Sequence, residues 1–170
     1  TKKLQITGHG INIEDFKPDE NKNDLTIFTI LTVGRISPTK DIESIIKAID
    51  ILKEEKIENI HLDIVGEPGL SEQFRYYESL RQMVRTMKLD DIITFRGPVP
   101  NREISQLLQK SDLFINISGT GSLDKAVLEA MACECMVLTG NNAFADILSE
   151  EFLVEKNNPR RLAEKIIWFM

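Results

Sequence analysis

The sequence predicts a doubly wound α/β fold, a mostly parallel sheet with helices on both faces, and three observations carry that prediction. Short apolar runs alternate with longer amphipathic ones along nearly the whole chain. The short runs are continuously apolar, as strands buried on both faces must be. They also stop at or just before Gly34, Gly66, Gly97, Gly119 and Gly140. In a parallel sheet those turns emerge at one edge, the carboxyl edge, where ligands bind.

Taken in order, Lys3-Leu4-Gln5-Ile6 reads as a short strand, followed by Gly8-His9-Gly10-Ile11-Asn12 and Phe16-Lys17-Pro18. The polar stretch from Pro18 to Asp24 reads as a surface loop. Leu25 to Val33, rich in Ile, Thr and Phe, predicts a strand ending at Gly34. Ser37-Pro38 is an N-cap and first-turn pair. It predicts a helix from about Asp41 to Lys56 whose core face is Ile42, Ile45, Ile46, Ile49 and Leu52. Ile60 to Val65 is the next strand, then a charged helix from about Ser71 to Met87, then a strand at Ile92-Ile93-Thr94-Phe95. Asn101 opens a short helix carrying Ile104, Leu107 and Leu108. Leu113 to Ile117 and Met136-Val137-Leu138 are strands, with a helix between them. The last third predicts a short helix near Ala143 to Leu148, a strand at Phe152-Leu153-Val154 and a final helix from about Pro159.

At 170 residues the chain is enough for one domain with a real core and too little for two full-sized ones. Thr1 at one end and the apolar Ile166-Ile167-Trp168-Phe169-Met170 at the other predict a piece of a longer protein. A net charge of −6 without a basic block argues against a nucleic-acid partner. No apolar run approaches the length of a membrane span. Cys133 and Cys135, one residue apart in an apolar run, predict inert core thiols in a reducing compartment. The expected location is therefore cytoplasmic. With only His9 and His61 beside them, no metal site is expected.

Chemistry concentrates between Ser118 and Leu138. Gly119 and Gly121 let the backbone turn sharply and lie close to a ligand. Ser122 then reads as the N-cap of a helix whose core face is Leu123, Ala126, Val127, Ala130 and Met131. From Ala126 to Cys133 the only charge is Glu129. Either it forms a surface pair with Lys125, or it accepts hydrogen bonds from a ligand's hydroxyls; the glycine turn favours the second. A helix N-terminus behind two glycines suits an anion, because free N–H groups and the macrodipole both attract negative charge. If Ser37 caps the first helix, Lys40 lies in its first turn, an unfavourable place for a cation unless an anion lies beside it. Arg35 reaches the same edge and offers a planar fork for phosphate oxygens.

These pieces together resemble the C-terminal, donor-binding domain of GT-B glycosyltransferases, in the large retaining family called group 1 or family 4. The resemblance covers nearly the whole chain. It rests on Val33-Gly34-Arg35-Ile36-Ser37-Pro38-Thr39-Lys40-Asp41, Leu62-Asp63-Ile64-Val65-Gly66 and Phe95-Arg96-Gly97-Pro98-Val99-Pro100. Its most specific part is Ser111-Asp112-Leu113-Phe114-Ile115 followed by Leu128-Glu129-Ala130-Met131-Ala132-Cys133. Gly8 to Pro18 is similar to the segment that leads in from the N-terminal domain.

The resemblance implies a nucleotide-diphosphate sugar as donor, no cofactor beyond it, and no metal. Arg35 and Lys40 would hold the diphosphate and Glu129 the ribose hydroxyls, these three being the catalytic set. Gly34 and Gly66 would open the edge on which the donor lies, and Gly97, Pro98 and Val99 would border the base. Gly121, Ser122, Leu123, Asp124 and Lys125 would meet phosphate or sugar. The partner implied is the N-terminal GT-B domain of the same protein, which holds most of the acceptor site. Peripheral attachment to the inner face of a membrane, in polysaccharide or glycoconjugate synthesis, would run through that half. The isolated domain would bind weakly and turn nothing over.

The chain also departs from the family pattern. The family carries two glutamates eight positions apart, and eight before Glu129 stands Gly121. Asp124 or Lys125 is the candidate to take over the missing sugar contact. Glu134 and Met136 replace the usual glycine and proline, and Ala143-Phe144-Ala145-Asp146 only loosely matches the closing ribose-side motif. Two alternatives stand beside the transferase. One is a nucleotide-sugar epimerase of the same architecture, with His9 as its one acid–base candidate. The other is a degenerate nucleotide- or sugar-binding module, suggested by Gly121.

Overall fold

A computed structural model describes residues 10–19, 26–119 and 121–170. Within them lie five strands: β1 (Phe28–Val33), β2 (Ile60–Val65), β3 (Ile93–Gly97), β4 (Leu113–Asn116) and β5 (Met136–Thr139). The helices are α1 (Ile42–Glu54), α2 (Gln73–Thr86), α3 (Asn101–Lys110), α4 (Lys125–Ala132) and α5 (Pro159–Phe169). The sheet order is β3-β2-β1-β4-β5 and every pairing is parallel, so the predicted doubly wound fold is the one observed. The chain winds outward from β1 through β2 and β3, then returns to the other side for β4 and β5. The order therefore switches between β1 and β4, the place in such sheets where ligands bind at the carboxyl ends.

Strand alternation divides the interior into two cores. Ile30, Leu62, Ile64, Leu113, Ile115 and Leu138 face α1, α2 and α5. Leu31, Val65, Phe114 and Val137 face α3 and α4, where Phe16 from the lead-in segment also packs. Helix α1 is built from isoleucines of modest helix propensity. It forms because Ile42, Ile45, Ile46, Ile49 and Leu52 are all buried along one stripe, so tertiary burial outweighs the local preference. Lys53 at its end donates to the carbonyls of Met87 and Lys88 (3.2 and 2.7 Å), closing the C-terminus of α2. Cys133 and Cys135 are buried, and the Cys135 thiol donates to the Ser111 carbonyl (3.4 Å).

The departures lie at the ends of the chain and in its last third. The predicted strand at Lys3 to Ile6, together with His9 and Leu25, falls outside the described residues. The helix predicted at Ala143 to Leu148 is a single 3-10 turn, Asn142–Phe144, followed by a hydrogen-bonded turn over residues 145–147. The strand predicted at Phe152 to Val154 is a 3-10 turn over Glu150–Phe152 and one parallel bridge from Leu153 to Thr139. Apolar residues there are buried against the end of β5 without extending the ladder.

Candidate functional site

The carboxyl edge is assembled from glycines first. Gly66 has φ +133°, and a Cβ on it would lie 1.9 Å from the carbonyl oxygen of Gly34, so no side chain fits. The N–H of Gly34 donates to Val65 O (3.0 Å) and that of Gly66 to Gly97 O (2.9 Å), carrying the ladder past the strand ends. The three turns leaving β1, β2 and β3 are thereby locked in line.

The segment after Gly34 differs from the expectation. Pro38–Lys40 form a 3-10 turn, and the Ser37 hydroxyl hydrogen-bonds the Thr39 hydroxyl (2.7 Å) instead of capping a helix. Asp41, in the left-handed conformation at φ 46°, separates that turn from α1. Its carboxylate accepts from the Asn157 N–H at 2.7 Å, anchoring the junction to the loop before α5. Lys40 thus ends a 3-10 turn and does not stand in the first turn of α1. Its stem passes over Gly34, where an added Cβ would sit 3.7 Å from Lys40 Cε. The ammonium reaches across the switch point to Asp124, at 3.2 Å from Oδ1 and 3.4 Å from Oδ2. Arg35 is exposed, with its stem laid against Gly69, and makes no ion pair among the described residues.

The loop after β4 also corrects the sequence reading. Helix α4 begins at Lys125, so Ser122 and Leu123 precede it and Asp124 holds the N-cap position. Asp124 makes no side-chain hydrogen bond to its own helix. Its carboxylate is taken instead by Lys40 and by the buried Ser118 hydroxyl. Among the described residues no side chain caps the first-turn N–H groups of α4. Asn141 steadies the loop by donating from Nδ2 to the Ser122 carbonyl (2.6 Å) while its Oδ1 accepts from Ala143 N–H (3.0 Å). Gly121 has φ +71° with nothing within 4 Å of a built Cβ. The left-handed backbone favours glycine at this position, although there is room for a side chain.

Glu129 lies half-buried one turn along α4. Among the described residues it has no hydrogen bond or ion pair, so the surface pair with Lys125 does not form. Burial pushes its carboxyl above the usual range, and the Lys125 charge only partly opposes the shift. Pro98 is exposed after β3, and Val99 packs its side chain against the α3–α4 core.

Sequence reasoning missed Ser118, Asn141 and Lys156. Lys156 donates to the Thr39 carbonyl (3.2 Å) and lies against Gly119 beside a cleft of about 610 Å³. Asn141 was legible in principle, since an asparagine in the turn that follows a strand commonly bonds the backbone N–H two residues on. Nothing near Lys156 in the sequence signals its reach.

A second polar centre lies away from the edge. Asp63 is buried in mid-β2 and accepts from Arg96 Nε at 2.8 Å, with His61 Nε2 at 3.2 Å. The carboxylate in turn raises the Arg96 pKa. This cluster joins the neighbouring strands β2 and β3.

The profile of the family "Glycosyl transferases group 1" matches residues 13–170. The putative colanic acid biosynthesis glycosyltransferase WcaL of Escherichia coli K12 is 24% identical over 98% of this chain and 42% of its own length. The UDP-Gal:alpha-D-GlcNAc-diphosphoundecaprenol alpha-1,3-galactosyltransferase of Escherichia coli is 27% identical over 92% of this chain and 42% of its own. The chain spans less than half the length of these curated relatives. Among solved structures, the C-terminal domain of a glycosyl transferase group 1 family protein (LpcC) from Francisella tularensis superposes with a TM-score of 0.79 at 27% identity, over 94% of this chain and 87% of that one. Anabaena Alr3699/HepE in complex with UDP and glucose shares the fold, with a TM-score of 0.81 at 20% identity over 92% and 44% of the two chains. With a family profile matched across nearly its full length, the chain belongs to the group 1 glycosyl transferases and has the fold of their C-terminal GT-B domain.

Proposed function

We propose that this chain is the donor-binding half of a retaining glycosyltransferase that uses a nucleotide-diphosphate sugar. The observation that carries the reading is the meeting of Lys40 with the uncapped N-terminus of α4 at the β1/β4 switch point. A cation and a helix dipole together favour an anion of high charge. In this reading Arg35 and Lys40 hold the diphosphate, and Glu129, a half-buried carboxylate without a protein partner, accepts from the ribose hydroxyls. Gly97, Pro98 and Val99 border the base. As the glycosidic bond to the diphosphate breaks, negative charge builds on the leaving oxygen, and the same cations and dipole stabilise it. The reaction needs no metal or further cofactor in this scheme. The acceptor, any membrane surface and the rest of the cleft belong to an N-terminal GT-B domain, so the isolated chain turns nothing over.

Titration calorimetry with UDP, GDP, ADP and their sugar conjugates tests the reading. One diphosphate binds, and both Lys40→Ala and Glu129→Ala weaken it at least about tenfold, the size of one charge-assisted contact. A sugar conjugate binding no tighter than its bare diphosphate accords with Gly121 standing where the family has glutamate. No nucleotide binding, even by the full-length protein, overturns the donor reading in favour of a degenerate module.

A further inference from the structure

The Asp124 carboxylate occupies the seat an anionic ligand would take. It lies between the Lys40 ammonium (3.2 Å) and the Ser118 hydroxyl, at the N-terminus of a helix whose N–H groups it does not cap. Capping would use the residue as aspartate is most often used at this position, and stabilises a helix by about 1 kcal/mol. Here that local use is forgone for a lysine 84 positions away. The pair is partly shielded, with side-chain exposures of 21% for Lys40 and 19% for Asp124. Its attraction is accordingly less screened than that of a fully exposed pair. Ser118, itself fully buried, fixes the carboxylate from the other side.

We infer that Asp124 is a built-in counter-ion of the donor site: it holds Lys40 while the site is empty, and a nucleoside diphosphate binds by displacing the carboxylate from the lysine. The inference rests on the donor-site reading above and adds a regulator to it. Asp124 is a positioning and specificity-determining residue, because an incoming group must attract Lys40 more strongly than a single fixed carboxylate does. A diphosphate, with more than one charge, meets that requirement, and a neutral hydroxyl does not.

The test is a double-mutant cycle read by calorimetry with UDP, GDP and ADP on wild type, Asp124→Asn, Lys40→Ala and the double variant. Asparagine keeps the shape and can itself cap α4, so the loop is retained. Asp124→Asn is expected to tighten diphosphate binding by about three- to tenfold, the size of a partly shielded ion pair. The gain vanishes in the Lys40→Ala background, where there is no ammonium to release. A weaker or unchanged affinity for Asp124→Asn, with Lys40→Ala still harmful, overturns the counter-ion role and leaves the donor site standing. A gain that persists without Lys40 overturns it too, since relief would then come from general charge. Binding of no diphosphate by any of the four proteins, each also made at full length, removes the donor-site reading and this inference together.

Discussion

Asp63 and Asp124 are both carboxylates paired to a cation, and they serve the molecule in opposite ways. Asp63 sits in the middle of β2 and bonds to Arg96 on the adjacent strand and to His61 two residues before it. Its partners are fixed by strand register, and the pair fastens parts of the sheet that already touch. Asp124 gathers a turn after β1, the end of β4 and the start of α4, three segments that the sheet alone does not fasten. A charge inside a ladder stabilises the fold. One placed where loops from different crossovers converge fastens loops instead of strands, and serves a ligand in the reading proposed above.

The comparison breaks most visibly through the fold itself. Gly66→Ala puts a Cβ 1.9 Å from the Gly34 carbonyl at φ +133°, and is expected to cost about 3 kcal/mol or more in urea unfolding. Asp63→Ala removes the buried carboxylate that Arg96 and His61 share, and is expected to cost about 1–2 kcal/mol, because the hydrogen bonds to a charged acceptor are lost while Arg96, 43% exposed, stays hydrated. Nucleotide affinity stays at the wild-type value in that variant, measured below its unfolding transition. Lys40→Ala shows the reverse pattern: a stability change of about 1 kcal/mol or less, since the pair keeps solvent contact, with the loss of diphosphate affinity stated above. If Asp63→Ala abolished nucleotide binding in a folded protein, the division between structural and functional pairs would be wrong.

Legibility in the sequence divides along the same line. Strands β1 to β5 and helices α1 to α3 were read from apolar runs and periodicity, because burial on both faces of a parallel sheet writes itself into consecutive residues. The start of α4 was not. Ser122 behind two glycines is a sound cap signal, yet Asp124, two residues on, takes the position, and no local pattern decides between them. Ser37-Pro38 likewise signals a helix start, and the chain makes a 3-10 turn with a left-handed Asp41 before α1 begins. Lys40, Arg35 and Glu129 were identified as candidates by position and charge. The Lys40–Asp124 pair was out of reach because it spans 84 residues, a relation set by sheet order and not by spacing. The final helix from Pro159 was legible too, and only the stretch from 143 to 154 was misread, because single bridges and 3-10 turns bury apolar residues without a period.

Glu129 gives the smallest stability effect and the finest test. Its carboxyl is pushed up by burial in the folded chain and is ordinary in the unfolded one, so the folded state binds the proton more tightly. Stability from this group is therefore full below the ordinary carboxylate range and is lost as pH rises through the raised value. At neutral pH the ionised side chain contributes nothing to the fold, and Glu129→Gln is expected to match or slightly exceed wild type in urea midpoint. The wild type regains ground only as the solution is acidified. Affinity for a ribonucleoside diphosphate falls about tenfold in the same variant, as for a lost hydrogen bond to a charged acceptor, while a 2′,3′-dideoxy analogue binds both proteins alike. A Gln variant that unfolded more easily at neutral pH and bound both nucleotides as before would make Glu129 a structural charge of the Asp63 kind. The pairing of unchanged stability with ribose-dependent loss is what marks a carboxylate that the fold leaves for its ligand.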